Sequence, residues 1–359
     1  MTSVSPRNHV KNIFLIVLIF LAFFAAWMNQ EGREVNPQWQ EDKPSSSETT
    51  AGQRPPADVV QEPPRELTCQ EILAASPFYR ADSSQVVVKE NELRQEGKTE
   101  LADTLQTISC VPQGIWVSGR DPAWEASRAR QIVEKAKRQG KIPLFVIYDG
   151  PEHTKAIWRH VETGKAYEEW IRTFALALGN SEAWIVFEPD ALPLTFNYSE
   201  EDREIRLQEL KNGVRILKEE SPNSRVYIDA GHNEWKGEEI VVRYLEEAGI
   251  AQANGFALNV SNHQEVSEEI AYGVKIAELI GDTRFIVDTG QAGRKVEGSE
   301  WCNAAGRALG RTPTQNTGNV LIDAFVWVKP PGESDGTCNG GPPPGKFWLE
   351  YALQLIANS

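Results

Sequence analysis

Metal-binding spacings are missing from this chain. No Cys-x-x-Cys and no His-x-x-x-His occurs in its 359 residues, so no metal site and no cofactor is expected. An excess of basic residues is missing too. The net charge is −14 and the isoelectric point is near 5.0. Nucleic-acid phosphates would be repelled by such a surface, which argues against a nucleic-acid partner. An uncharged polymer would not be. Cysteine is scarce, and the four present leave three pairings open. Aliphatic residues are few between 29 and 66, where Gln, Glu, Pro, Ser and Thr dominate. That segment cannot bury a core and is expected to be a disordered linker.

What is present begins with an export signal. Arg7, His9 and Lys11 precede an apolar run over 13–28. The pattern predicts a signal sequence or an N-terminal membrane anchor over 1–28, which places the rest outside the cytoplasm, secreted or tethered. Disulfides are permitted there. The folded domain is expected over 67–359, as a monomer.

Within it, short apolar runs alternate with helical patterns. The runs are 114–118, 142–149, 183–190, 225–229, 256–260, 284–288 and 320–328. Helical spacing of apolar residues marks 123–139, 166–178, 201–219, 238–248 and 266–280. Repeated βα units imply parallel strands with right-handed crossovers, in an α/β barrel or a doubly wound sheet. Most runs end on a polar or charged residue, so a polar rim is expected at the C-terminal ends of the strands. The run 320–328 ends at Lys329, and a Pro/Gly turn then presents Glu333 and Asp335. A cation and two carboxylates beside apolar and aromatic walls suit acid/base work on a neutral, hydroxyl-rich substrate. Eleven Trp is a high count; most belong in the core, and a few at strand ends would fit sugar stacking.

Several segments together resemble glycoside hydrolase family 6, the cellulases that invert. They are Ser109-Cys110-Val111-Pro112-Gln113-Gly114-Ile115-Trp116, Glu188-Pro189-Asp190, Tyr227-Ile228-Asp229-Ala230-Gly231-His232, Leu258-Asn259-Val260-Ser261-Asn262, Phe285-Ile286-Val287-Asp288 and Trp301-Cys302-Asn303 through Asp335-Gly336. The resemblance implies a distorted seven-stranded parallel (β/α) barrel, TIM-barrel-like. It implies Asp190 as general acid and Asp335 as candidate base, with Tyr148 beside the cleavage point. Trp116, Trp235 and Trp301 match positions that stack glucose, and Ser118, His232, Asn259, Lys329 and Glu333 match positions that contact sugar hydroxyls. It also implies a Cys302–Cys338 disulfide, which leaves Cys69 and Cys110 as the second pair. The implied partner is a β-glucan, cellulose or a related polymer, and no separate carbohydrate-binding module is visible.

One segment departs from the family. After the second strand the family carries an aspartate that helps raise the acid's pKa, followed by a cysteine; Thr154 and Lys155 stand there. Asp149 and Glu152 are the candidates to supply the missing charge. Family members that act from chain ends carry long insertions after the last strand, whereas the loop 337–345 is short here, so the resemblance implies an open cleft and endo action. An exo-acting cellobiohydrolase and a catalytically weakened glucan-binding protein are the alternatives.

Overall fold

Seven short runs rich in β-branched and aromatic residues form strands because both of their faces are buried. They are β1 (Ile115–Val117), β2 (Leu144–Ile147), β3 (Trp184–Phe187), β4 (Arg225–Asp229), β5 (Gly255–Leu258), β6 (Arg284–Asp288) and β7 (Ile322–Val326). All neighbours pair in parallel, in chain order from β1 to β7. The computed structural model describes residues 68–118, 121–148, 161–296 and 300–359, without the side chains of 161–163. The expected signal or anchor, the linker, Asp149, Glu152, Thr154 and Lys155 lie outside the described residues.

The helices are α1 (Cys69–Ala75), α2 (Gln85–Gln95), α3 (Thr99–Ser109), α4 (Pro122–Arg138), α5 (Val161–Leu178), α6 (Ala191–Leu194), α7 (Glu200–Glu220), α8 (Glu238–Glu247), α9 (Val266–Ile280) and α10 (Leu349–Ala357). Among the described residues, none is long and apolar enough to cross a membrane. Strand side chains alternate between two cores. Leu144, Val146, Trp184, Val186, Tyr227, Ile286, Ala324 and Val326 fill the concave interior. Phe145, Ile147, Ile185, Phe187, Val226, Ile228, Phe256, Leu258, Phe285 and Phe325 pack outward with the helices. Burial on both sides explains why the runs are continuous rather than alternating.

The curled sheet does not close by a ladder. β7 and β1 meet beyond their paired residues, where the Gly114 N–H donates to the Trp327 carbonyl at 2.7 Å. A Cβ on Gly114 would stand 2.3 Å from the Val328 carbonyl oxygen, so only glycine allows this approach. The result is a seven-stranded half-barrel, the distorted TIM-barrel-like architecture that the family resemblance implied. The doubly wound alternative fails because the strand order never reverses.

Two local expectations need correction. The run 320–328 is not buried throughout: Val320 is 80 % exposed, and the strand starts only at Ile322. Helices α1–α3, absent from the sequence reading, add a third core in which Val86, Leu93, Leu105 and Ile108 pack with Trp327, Tyr351 and Leu355. α1 is tied to the end of α3 by the Cys69–Cys110 disulfide.

At the N-terminal end of the strands, Asp323 accepts from the Tyr227 hydroxyl at 2.7 Å and pairs with Arg225 and Arg284 at 3.3 and 3.4 Å. This cluster braces that end of the interior. None of the expected site residues is there.

Candidate active site

Among the described residues, Ser118, Tyr148, Asp190, His232, Trp235, Asn259, Lys329, Glu333 and Asp335 follow the C-terminal end of a strand, Trp116 lies within β1, and Trp301 stands in the long connection from β6 to β7. β3 ends at Phe187, and the next three residues leave the sheet in a strained turn. Glu188 and Asp190 are both left-handed, with φ 51° and 68°. Non-glycine residues hold such angles at a cost of about 1–2 kcal/mol each. The cost is offset by contacts that over-determine the turn. Buried Glu188 accepts from the Tyr167 hydroxyl at 2.8 Å and faces Arg206 at 3.6 Å. The Asp190 N–H donates to Asp229 Oδ2 at 2.8 Å.

Asp229, at the end of β4, received no role from the sequence. Burial and the neighbouring Asp190 carboxyl push its carboxyl up to about 8. The Asp190 and Asp229 carboxyls therefore form a pair that keeps a proton at neutral pH. The Gly231 N–H lies 3.4 Å from Asp229 Oδ1. The two backbone donors, from Asp190 and Gly231, oppose that rise without cancelling it.

The loop after β7 is built differently. Lys329 Nζ pairs with Asp335 Oδ1 at 2.5 Å, and the Asn303 N–H donates to Asp335 Oδ2 at 2.9 Å. Asn303 Oδ1 accepts the Asp335 N–H at 2.8 Å, and its amide donates to the Gly336 and Cys338 carbonyls at 2.7 and 2.9 Å. The Cys302–Cys338 disulfide closes this clasp. Glu333 accepts from Gln85 Nε2 on α2 at 2.7 Å, and burial pushes its carboxyl up to about 7. Beneath the rim, Asp288 at the end of β6 accepts four backbone N–H groups, from Ser261, Gly290, Val328 and Lys329, at 3.0–3.1 Å. It fixes the start of the β7 loop against the β5 loop.

The aromatic positions flank these carboxyls on the rim. The Trp116 ring meets Tyr148 edge-on, with centroids 5.2 Å apart, and its Nε1 donates to the Val328 carbonyl at 3.0 Å. Ser118 is half-buried just past β1. His232 and Trp235 lie together after β4, centroids 5.3 Å apart. Burial pulls the His232 imidazole down, so it stands neutral at pH 7, and its Nδ1 has no partner among the described residues. Trp301 is 64 % exposed. Asn259 is placed differently from a substrate contact. It is fully buried with φ 62°, its amide donates to the Asp288 carbonyl at 3.0 Å, and its Oδ1 accepts the Gln264 N–H at 3.0 Å. Its side chain is taken up in shaping the β5 loop.

Sequence reasoning missed Asp229, Asn303, Gln85 and Asp288 as parts of the site. Asp229, Asn303 and Asp288 lie inside the quoted family segments; Gln85 gave no signal, being 248 residues from Glu333.

The parallel half-barrel thus gathers carboxyls on one rim, Asp190 after β3, Asp229 at the end of β4 and Asp335 after β7. The family model of glycosyl hydrolases family 6 matches residues 70–359, and the chain belongs to that family. It is 36 % identical over 259 residues to endoglucanase A of Cellulomonas fimi, covering 71 % of this chain and 56 % of the relative. It is 30 % identical over 277 residues to a probable 1,4-beta-D-glucan cellobiohydrolase C of Aspergillus niger, covering 60 % of each. Among solved structures it is similar to the endoglucanase Cel6 of Mycobacterium tuberculosis in complex with methyl-cellobiosyl-4-deoxy-4-thio-beta-D-cellobioside. That match has a TM-score of 0.73 and 34 % identity, and covers 80 % of this chain and 98 % of the other. The chain spans about half the length of the Cellulomonas fimi relative.

Proposed function

We propose that this chain hydrolyses internal β-1,4-glucosidic bonds of cellulose or a related β-glucan, with inversion. The observation that carries the reading is the placement of two unlike carboxyl sites on one rim. Asp190 stands beside Asp229, bound to it through its backbone N–H, and Asp335 is held by Lys329 and Asn303. Asp190 donates its proton to the glycosidic oxygen as the bond to the anomeric carbon breaks. Water attacks that carbon from the opposite face and gives its proton to Asp335. Trp116, Trp235 and Trp301 stack glucose rings, and Ser118, His232, Lys329 and Glu333 meet hydroxyls. The cellobioside-bound relative supports a glucan ligand.

Endo action is supported by how the 336–345 loop is used. Ser334 Oγ donates to the Gly336 and Pro342 carbonyls at 2.8 Å each, and Asn303 binds the loop from below. These bonds tie the loop to its own base, which supports an open cleft. Thr154 motivates the rival reading of a weakened glucan-binding protein. Asp229 supports catalysis instead, as a carboxyl neighbour for Asp190 that does not depend on position 154. Two disulfides support an exported domain, secreted or anchored.

The test is hydrolysis of soluble cellulose by the unsubstituted protein and by Asp190→Asn. Viscosity should fall ahead of reducing-end release, and proton NMR should show the α-anomer first. Asp190→Asn should lose about 10²-fold or more in rate while still binding oligosaccharide. Binding without hydrolysis at any pH would leave the rival reading, and an initial β-anomer would remove the inverting mechanism.

A further inference from the structure

Among the described residues two large aromatics are exposed, Trp301 at 64 % and Trp124 at 47 %. Trp301 already has a place in the glucan reading. Trp124 has none. It sits in the first turn of α4, which follows β1 and runs back toward the strand N-termini, so this turn lies at the rim. Asp121 Oδ1 caps the turn, accepting the N–H groups of Ala123 at 2.7 Å and Trp124 at 3.3 Å. The exposed aliphatic side chains Val88, Leu176, Ile205, Ile240 and Leu279 lie scattered on helices and Val320 just before β7, as isolated apolar residues ordinarily do.

One helical turn below Trp124 is Arg128. Its guanidinium lies 5.8 Å from the Trp124 ring centroid. Its Nη1 donates to the Trp116 carbonyl at 3.0 Å and pairs with buried Glu125 at 3.1 Å. Arg128 thus joins Trp124 to Trp116, the platform at the end of β1. A turn rises about 5.4 Å, so Trp124 stands about one turn outward of Arg128 and the Trp116 carbonyl it holds.

We propose that Trp124 is a further sugar-stacking platform that extends the cleft outward from Trp116 by one or more glucose units. Arg128 is its positioning residue: it holds the indole from below and locks it to the strand that carries the inner platform. The occupant is the outer part of a β-glucan chain whose inner part lies on Trp116. This rests on the glucan reading above.

The test uses Asp190→Asn as a non-hydrolysing background and isothermal titration with cellotriose and cellohexaose. Adding Trp124→Ala should weaken cellohexaose by about tenfold, equivalent to about 1.4 kcal/mol, and leave cellotriose unchanged. Trp124→Phe should restore most of the loss. Equal weakening of both lengths, or no change in either, overturns the platform. Failure of the background protein itself to bind either sugar overturns the glucan reading, and the platform with it. An unchanged thermal midpoint is expected for both variants, since the ring is half in water.

Discussion

Glu269→Gln should make the protein more stable at pH 8 and leave it nearly unchanged at pH 5. Glu269 lies on α9 with no solvent exposure. One oxygen accepts the Asn233 N–H at 2.9 Å, and Oε2 has no partner among the described residues. Burial, reinforced by Glu234, Glu268 and Asp229, pushes its carboxyl up to about 8 despite the Asn233 bond. The unfolded chain ionises this group near its ordinary value of 4.5. Between those limits the folded state holds a proton that the unfolded state has lost. Stability is therefore fully present below about 4.5 and falls as pH rises toward about 8. At about 1.4 kcal/mol per pH unit, the loss across the window is on the order of 4–5 kcal/mol. Glutamine keeps the acceptor for Asn233, offers a donor where Oε2 stands, and does not titrate. Urea unfolding with intact disulfides at pH 5, 6.5 and 8 measures the difference. The variant should match the parent within about 1 kcal/mol at pH 5 and exceed it by several at pH 8. A difference that does not change with pH would refute the reasoning. Asn233 lies beside His232, so a local loosening should also raise KM for glucan as pH climbs.

Three further outcomes follow from contacts described above. Asn303→Ala removes one acceptor and two donors around Asp335, and should cost about 2–3 kcal/mol of stability and most of the activity, read by urea unfolding and kcat. Gly114→Ala places a methyl group against the Val328 carbonyl and should destabilise by about 1–3 kcal/mol, seen as a lower thermal midpoint. Nonreducing peptide mapping should find Cys69 with Cys110 and Cys302 with Cys338. Losing either link should cost about 4 kcal/mol, because the closed loops span 41 and 36 residues.

The strands were legible because a parallel sheet covered on both faces needs continuous apolar runs, and all seven stand where such runs do. Their ends were less so. Glu188, Asp190 and Asn259 extend the β3 and β5 runs in sequence but take left-handed backbone angles, which no period-two pattern reveals. Helix α2 was hidden by Glu90, a buried carboxylate on its core-facing side. Glu90 is satisfied there by Ser109 at 2.5 Å, Gln106 at 3.1 Å and Arg94 at 3.0 Å. Catalytic candidates were visible as motifs, whereas their supports were not. Asn303 meets Asp335 across 32 residues, and only folding shows that the two form a clasp.

The bond from Gln85 to Glu333 carries a consequence for how the molecule comes into being. A ribosome delivers α2 long before it delivers β7 and α10. Until those later segments emerge, Val86, Leu93, Leu105 and Ile108 have no Trp327, Tyr351 or Leu355 to cover them. The nascent chain must carry this sticky patch through nearly all of its translation, or through export, before the seam can be sealed. Contacts this remote in sequence are slow to find. A holdase chaperone waiting at the exit would find its first client surface on α2 and α3, and release it only once the rim after β7 is whole.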